Sequence, residues 1–469
     1  MLGLVTLLVL GVQAEPPLAD DTEFLRRVSL DLIGRVPLPA EIRSFAAASD
    51  PSKRSRKIDE LLFSPEFASF WSSRLSDGWM GPLSATEPAA PAAGFRSWLR
   101  ERIQQPQARI GDIVRDVLTA SDSVQPRAAA FLARFIETTP RGTELRIDAL
   151  AGDVAYVFLG VRLRCAQCHD HPVDRWTQED FWGVAGFFAK TDAHRQGGVR
   201  DEKEPQRYAL EGQRGKLSPR YLDGSLPESG AWRNELARRI VSDPLFSRAF
   251  VNRVWSWLLG AGLREPVDRM TESGTSTAPE LLDALAGQFS VAGHDLRFLV
   301  RAICTSRAYQ RSSKGGARLR PMTPLQHFES VSAATDLPRA AAEMSDDLIL
   351  SVMGGVNGTG EHKKYRIFRR WFLSAAPGGI QQVLYTLNRD FPLFAGAKAA
   401  GPGKLHDLLR SEPDAEVVEE LYLSTVSRFP TEAEVRRARD HVSRKGSREA
   451  AFEELFWALL NSDEFLLNH

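Results

Sequence analysis

The chain has 469 residues, 43% hydrophobic and 26% charged, enough for two or three domains of ordinary globular makeup. Sixty basic residues against sixty acidic ones cancel, which removes the electrostatic footprint of a nucleic-acid binder or of a protein held on anionic lipid. With only three cysteines, Cys165, Cys168 and Cys304, there is no disulfide scaffold.

The chain starts MLGLVTLLVLGVQAEPP, an apolar run from Leu2 to Val12 followed by small residues at Val12 and Ala14. This reads as a secretory signal over 1–14, cut after Ala14, although no Lys or Arg precedes the run. About eleven apolar residues are too few to span a bilayer, and no later segment is long and apolar enough to cross one. The expected location is therefore exported, periplasmic or at the cell surface.

From Asp21 to about Met80 the pattern is helical. Phe24, Leu25, Val28 and Leu32 recur at helical spacing, Pro37 and Pro39 break the chain, and Ser64-Pro65 opens a further helix as N-cap and first-turn proline. The C-terminus repeats this plan: Arg35-Val36-Pro37 with Glu41-Ile42 corresponds to Arg428-Phe429-Pro430 with Glu434-Val435, and Leu61 to Phe67 corresponds to Leu459 to Phe465. Two related small helical units are expected at the two ends.

Residues 81–94 read as a loop. An amphipathic helix from Leu145 to Val161 is predicted to run straight into Cys165, and Thr177 with Asp180 forms a capping box for a helix carrying Phe181, Trp182 and Phe187. Residues 196–230 are polar and serve as the linker between a domain at 15–195 and a second at 231–469. Helices are then expected over 236–259, with Gly260 as the stop, over 279–289 and over 296–309. The Gly354-Gly355-Val356-Asn357-Gly358 region is a loop with room for short strands. The fold class is mainly α, two helical domains with short irregular or strand segments.

Cys165-Ala166-Gln167-Cys168-His169 is the C-x-x-C-H signature of covalent c-type haem. Two thiols three residues apart reach the two vinyl groups on one porphyrin edge, and the adjacent imidazole becomes the proximal iron ligand. With 3 Cys and 9 His in 469 residues, chance gives such a match roughly 4×10⁻⁴ times. Tyr156, Phe158, Leu159, Trp176, Phe181, Trp182 and Phe187 are available as apolar lining or simply as core. Met270, Met322, His194 and His294 are the candidates for a sixth ligand. A competing reading is a zinc or other divalent metal centre of Cys165, Cys168 and His171, completed by His169, Asp170, Asp174 or His194. A redox disulfide between Cys165 and Cys168 is a third.

Cys304 lies on an apolar helical face and reads as an inert buried thiol. Asn252, Arg253 and Trp255 form a polar cluster best explained by structural hydrogen bonding. Hydrolase elbows, phosphate-binding glycine loops and H-E-x-x-H are absent from the sequence.

FLRRVSLDLIGRVPLPAEIRSF, KIDELLFSPEF and CAQCHDHPVDRWTQEDFWGVAGFF together resemble the planctomycete cytochrome-C-like domain of unknown function. SDPLFSRAFVNRVWSWLLGAGLREPVD, PELLDALAGQF, LRFLVRAICTSRAYQRSS and the terminal LYLSTVSRFPTEAE with ALLNSDEFLLNH resemble its companion domain (DUF 1549 / DUF 1553 type). The resemblance covers nearly the whole mature chain and departs at Arg269, where the family carries a second acidic residue. It implies an exported two-domain protein found among cell-surface and sulfatase-like neighbours, and it carries the haem motif onto Cys165, Cys168 and His169. The leading expectation is an electron-transfer haem protein with an unidentified redox partner. The alternative is a non-haem, zinc-type surface protein, structural or hydrolytic, acting beside polysaccharide-degrading neighbours.

Overall fold

Asp20 starts the first helix because its carboxylate accepts the backbone N–H groups of Thr22 and Glu23, both at 2.9 Å. That helix, α1 (Asp21–Ile33), ends at Gly34 in the left-handed conformation (φ 76°). Every residue from Phe24 to Ile33 is buried, so α1 lies inside the molecule rather than on it. It is followed by α2 (Pro39–Ala47), α3 (Lys53–Leu62) and α4 (Pro65–Met80), the last capped by the Ser64 hydroxyl accepting from Phe67 N. This computed structural model describes residues 16–81, 89–140, 142–193, 198–205, 207–210, 213–271, 274–337, 392–400 and 403–469.

The middle of the chain forms α5 (Ala89–Gln104), α6 (Ile110–Thr119), α7 (Ala130–Ala133), α8 (Ile147–Val154), α9 (Gln178–Gly186), α10 (Trp232–Ser242), α11 (Pro244–Leu259), α12 (Pro279–Val291), α13 (Leu296–Cys304) and α14 (Pro324–Thr335). The C-terminal part adds α15 (Lys404–Ser411), α16 (Asp414–Val426), α17 (Glu432–Lys445), α18 (Arg448–Leu460) and α19 (Asp463–Leu466). The strands among the described residues are short and join only as two-stranded antiparallel ladders, so the protein is mainly α. No helix among the described residues is long and apolar enough to cross a membrane. The apolar leader and the Gly354–Gly358 region lie outside the described residues.

Several expected boundaries move, each for a local reason. The helix predicted over 236–259 is two helices, because Pro244 has no N–H to give and Asp243 caps a fresh start at Leu245 N (2.9 Å). The predicted loop at 81–94 is already helical from Ala89. The helix at 296–309 stops at Cys304. The capping box at Thr177 and Asp180 and the stop at Gly260 (φ 82°) form as expected.

Two apolar cores organise these helices. The larger takes side chains from α1 through α13, with Leu325 of α14 and Leu423 of α16, and includes residues on both sides of 196–230. The smaller gathers α14 to α19 and draws in Leu30 and Val36 from the N-terminal unit. α1 therefore serves both cores, with Phe24, Leu25, Val28 and Leu32 in one and Leu30 in the other.

The repeat at the two ends is structural in detail. Arg35 forks onto the Glu41 carboxylate at 2.9 and 3.2 Å and reaches Val36 O; Arg428 forks onto Glu434 at 2.9 Å twice and reaches Phe429 O. Both glutamates also reach back to cap their own helices, accepting from Leu38 N and Thr431 N. Ser64 and Ser462 repeat one cap, each donating to a carbonyl three residues back and accepting from an N–H three residues on.

Candidate functional site

The approach to the cysteine motif differs from the predicted continuous helix. α8 passes into a wide π-helical turn, Ala155–Leu159, and Gly160 halts it with φ 64°. A Cβ at Gly160 would stand 2.8 Å from Met270 Cγ and 3.2 Å from Ala249 Cβ, so both conformation and space demand glycine. Gly160→Ala is expected to cost about 2–4 kcal/mol in a denaturant titration, from left-handed strain plus overpacking.

The motif follows as a short 3₁₀ turn, Leu163–Ala166. Leu163 and Ala166 point inward and are fully buried, which turns Cys165 outward; Cys168 and His169 are likewise exposed, and both thiols are free. Gln167 is the anchor between them. Its carbonyl accepts from Trp182 Nε1 and Gln178 Nε2, each at 3.1 Å, and its side chain donates to Asp148 at 3.1 Å.

The two neighbouring histidines are held in opposite senses. His169 Nδ1 lies 2.8 Å from the Asp170 carbonyl, an acceptor, so Nδ1 carries the proton and the Nε2 lone pair is free to ligate. His171 Nδ1 instead accepts from Val173 N at 3.2 Å, which puts the proton on Nε2. Asp170 accepts from Gln178 N and Asp174 from Arg175 N, both at 2.9 Å. The acids of the HDHPVD turn thus hold the turn itself, which His171 N closes onto Trp176 O at 2.8 Å. Among the described residues no three His, Cys, Asp or Glu side chains converge as a metal-ligating group, and His194 lies outside them.

The aromatics offered as lining are core. Phe158 packs on Trp79 and Phe131, while Leu159, Trp176, Phe181 and Phe187 are almost wholly buried. Trp182 is half-buried and tied to Gln167; Tyr156 is exposed, its hydroxyl on Asp268 at 3.1 Å. α8 and α9 pack against the 3₁₀ turn, and Cys165, Cys168 and His169 are exposed to solvent. Of the proposed sixth ligands, Met270 is buried against Gly160, Met322 packs on the smaller core, and His294 shares a hydrogen bond with Ser247 Oγ (3.0 Å) between Phe246 and Phe289. Burial pushes the Cys304 thiol up, so it stays protonated and inert.

Sequence reasoning missed the buried polar residues of α1. Arg26, Arg27 and Asp31 sit inside the apolar periodicity of FLRRVSLDL, and each is at most 4% exposed. A charge at a core position of a periodic helix was the available signal.

Residues 10–193 match the family model PSCyt2, described as a protein of unknown function (DUF1549), and residues 232–372 match PSD1, described as a protein of unknown function (DUF1553). Comparison with curated proteins and with solved structures gives no match.

Proposed function

Since the chain belongs to the two-domain family in which a PSCyt2 domain precedes a PSD1 domain, we propose that it is an exported c-type haem protein that passes single electrons to a redox partner. Cys165 and Cys168 would hold the haem as thioether anchors, and His169 would ligate its iron. The observation that carries this is the tautomer: of the two histidines in the turn, the one inside C-x-x-C-H presents its lone pair, while His171 does not. The donor set fits haem in a second respect, since both thiols are free and exposed beside that imidazole.

A bound haem would supply one-electron iron chemistry at this face. The chain's own residues do the rest. Gln167, whose carbonyl takes Trp182 Nε1, holds the backbone between the anchors, and the Asp170 carbonyl fixes the imidazole. The apolar leader from Leu2 to Val12 accords with export, which thioether attachment requires.

The test is expression with the natural leader in a host that has haem-maturation machinery. A Soret band and a sharp reduced α band that survive acid-acetone extraction are expected. Replacing Cys165 and Cys168 together by Ser should abolish covalent pigment, and His169→Ala should keep the mass adduct while altering the iron spectrum. A colourless wild-type protein overturns the proposal. Stoichiometric zinc in that colourless protein would establish instead the metal-binding surface protein, structural or hydrolytic.

A further inference from the structure

Residues nearly one hundred positions later in the chain reach the turn that leads into the exposed motif. Asn252, on α11, donates to Arg264 O (2.8 Å) and Val267 O (2.9 Å) and accepts from Arg264 N (2.9 Å), so it pins the loop that follows α11. That loop presents Asp268, whose carboxylate takes Arg253 through Nε at 2.9 Å and a terminal nitrogen at 2.5 Å. Thus oriented, Arg253 donates to Val157 O at 2.7 Å and lies 3.5 Å from Tyr156 O. These are carbonyls of the π-helical turn; Tyr156 O also accepts from Gly160 N at 3.2 Å. A guanidinium there also complements the negative end of the helix.

Two further ties converge on the same turn. Tyr156 donates its hydroxyl to the second Asp268 oxygen, and Met270 N donates to Gly160 O at 3.0 Å. Gly160 is three residues from Leu163, the buried foot of the 3₁₀ turn that carries Cys165. Asp174, in the HDHPVD turn, lies within electrostatic reach of Arg264 on the pinned loop.

We infer that Arg253 and Asp268 form a clasp by which the second domain positions the Cys165–His169 segment. The conjunction carries the inference: one buried arginine, 6% exposed, joins the carboxylate of a pinned loop to the carbonyls that lead into the motif. The larger core spans both sides of 196–230, and within it Arg253 gives its donors to the turn before the motif and to Asp268. The clasp rests on the reading of Cys165–His169 as the functional segment, and its residues position that segment without touching a bound group.

The test is hydrogen exchange of the full-length protein, with or without pigment. Asp268→Asn removes the charge and keeps the shape; Arg253→Lys keeps the charge but cannot span carboxylate and carbonyls together. Both are expected to speed exchange over residues 160–169 by at least about ten-fold while α1 to α4 keep their wild-type rates. In pigmented protein the same variants should retain the thioether adduct and shift the midpoint potential. Wild-type exchange at 160–169 in folded Asp268→Asn, or equal acceleration everywhere, overturns the clasp. A colourless wild-type protein overturns the haem reading alone, because the exchange arm needs no pigment.

Discussion

Replacing Asp31 by Ala is expected to lower the free energy of unfolding by about 3–5 kcal/mol, measured by denaturant titration at neutral pH. Asp31 is wholly buried and receives four donors: Arg320 through both terminal nitrogens at 3.0 and 2.8 Å, the Tyr309 hydroxyl at 2.8 Å and the Asn468 amide at 2.9 Å. Its removal strands the Arg320 guanidinium, which keeps only Trp257 O, and leaves a hydroxyl and an amide without their acceptor. The cost is that of an uncompensated buried charge rather than the net worth of an ion pair. Combining Asp31→Ala with Arg320→Met should therefore recover part of the loss. Strict additivity of the two substitutions would contradict this account.

A comparable loss, about 3–5 kcal/mol, is expected for Arg26→Met, with a different signature. Arg26 donates to the carbonyls of Thr425, Glu464, Phe465 and Leu467 and to the Ser427 hydroxyl, at 2.7 to 3.3 Å. Burial lowers its guanidinium only to about 9, so it stays charged at neutral pH. Methionine fills the volume and satisfies none of these carbonyls. Because three of those four carbonyls belong to residues 464–467, limited proteolysis of the variant should cut first within 461–469. Protection there equal to that of the wild type would show that Arg26 is a packing residue only.

How far the sequence could be read depended on the range of each interaction. The N-caps at Ser64 and Thr177, the stop at Gly260 and the repeated arginine–proline–glutamate unit at the two ends were all legible, because their hydrogen bonds close within six residues. The halt at Gly160 was not legible. Its cap is local, Gly160 N donating to Ala155 O and Tyr156 O, but helical spacing through Val161 masked it, and only the fold shows that Met270 and Ala249 leave no room there for a Cβ. Asn252 and Arg253 were recognisable as structural hydrogen-bonding residues, but not the direction in which Arg253 reaches.

The candidate site divides the same way. Composition and spacing determined that two thiols and an imidazole stand together in C-x-x-C-H, since covalent spacing is a property of adjacent residues. That Trp182 ties down the Gln167 carbonyl, and that His169 rather than His171 presents its lone pair, depends on how the turn folds onto Gln178, Trp176 and Trp182. The chain alone also determined a mainly helical protein, through its period and its caps. Only the tertiary structure decided which charges would be buried: Asp31 meets its partners across separations of 278 to 437 residues, and no local pattern encodes a contact whose favourable energy exists only once the two cores have closed.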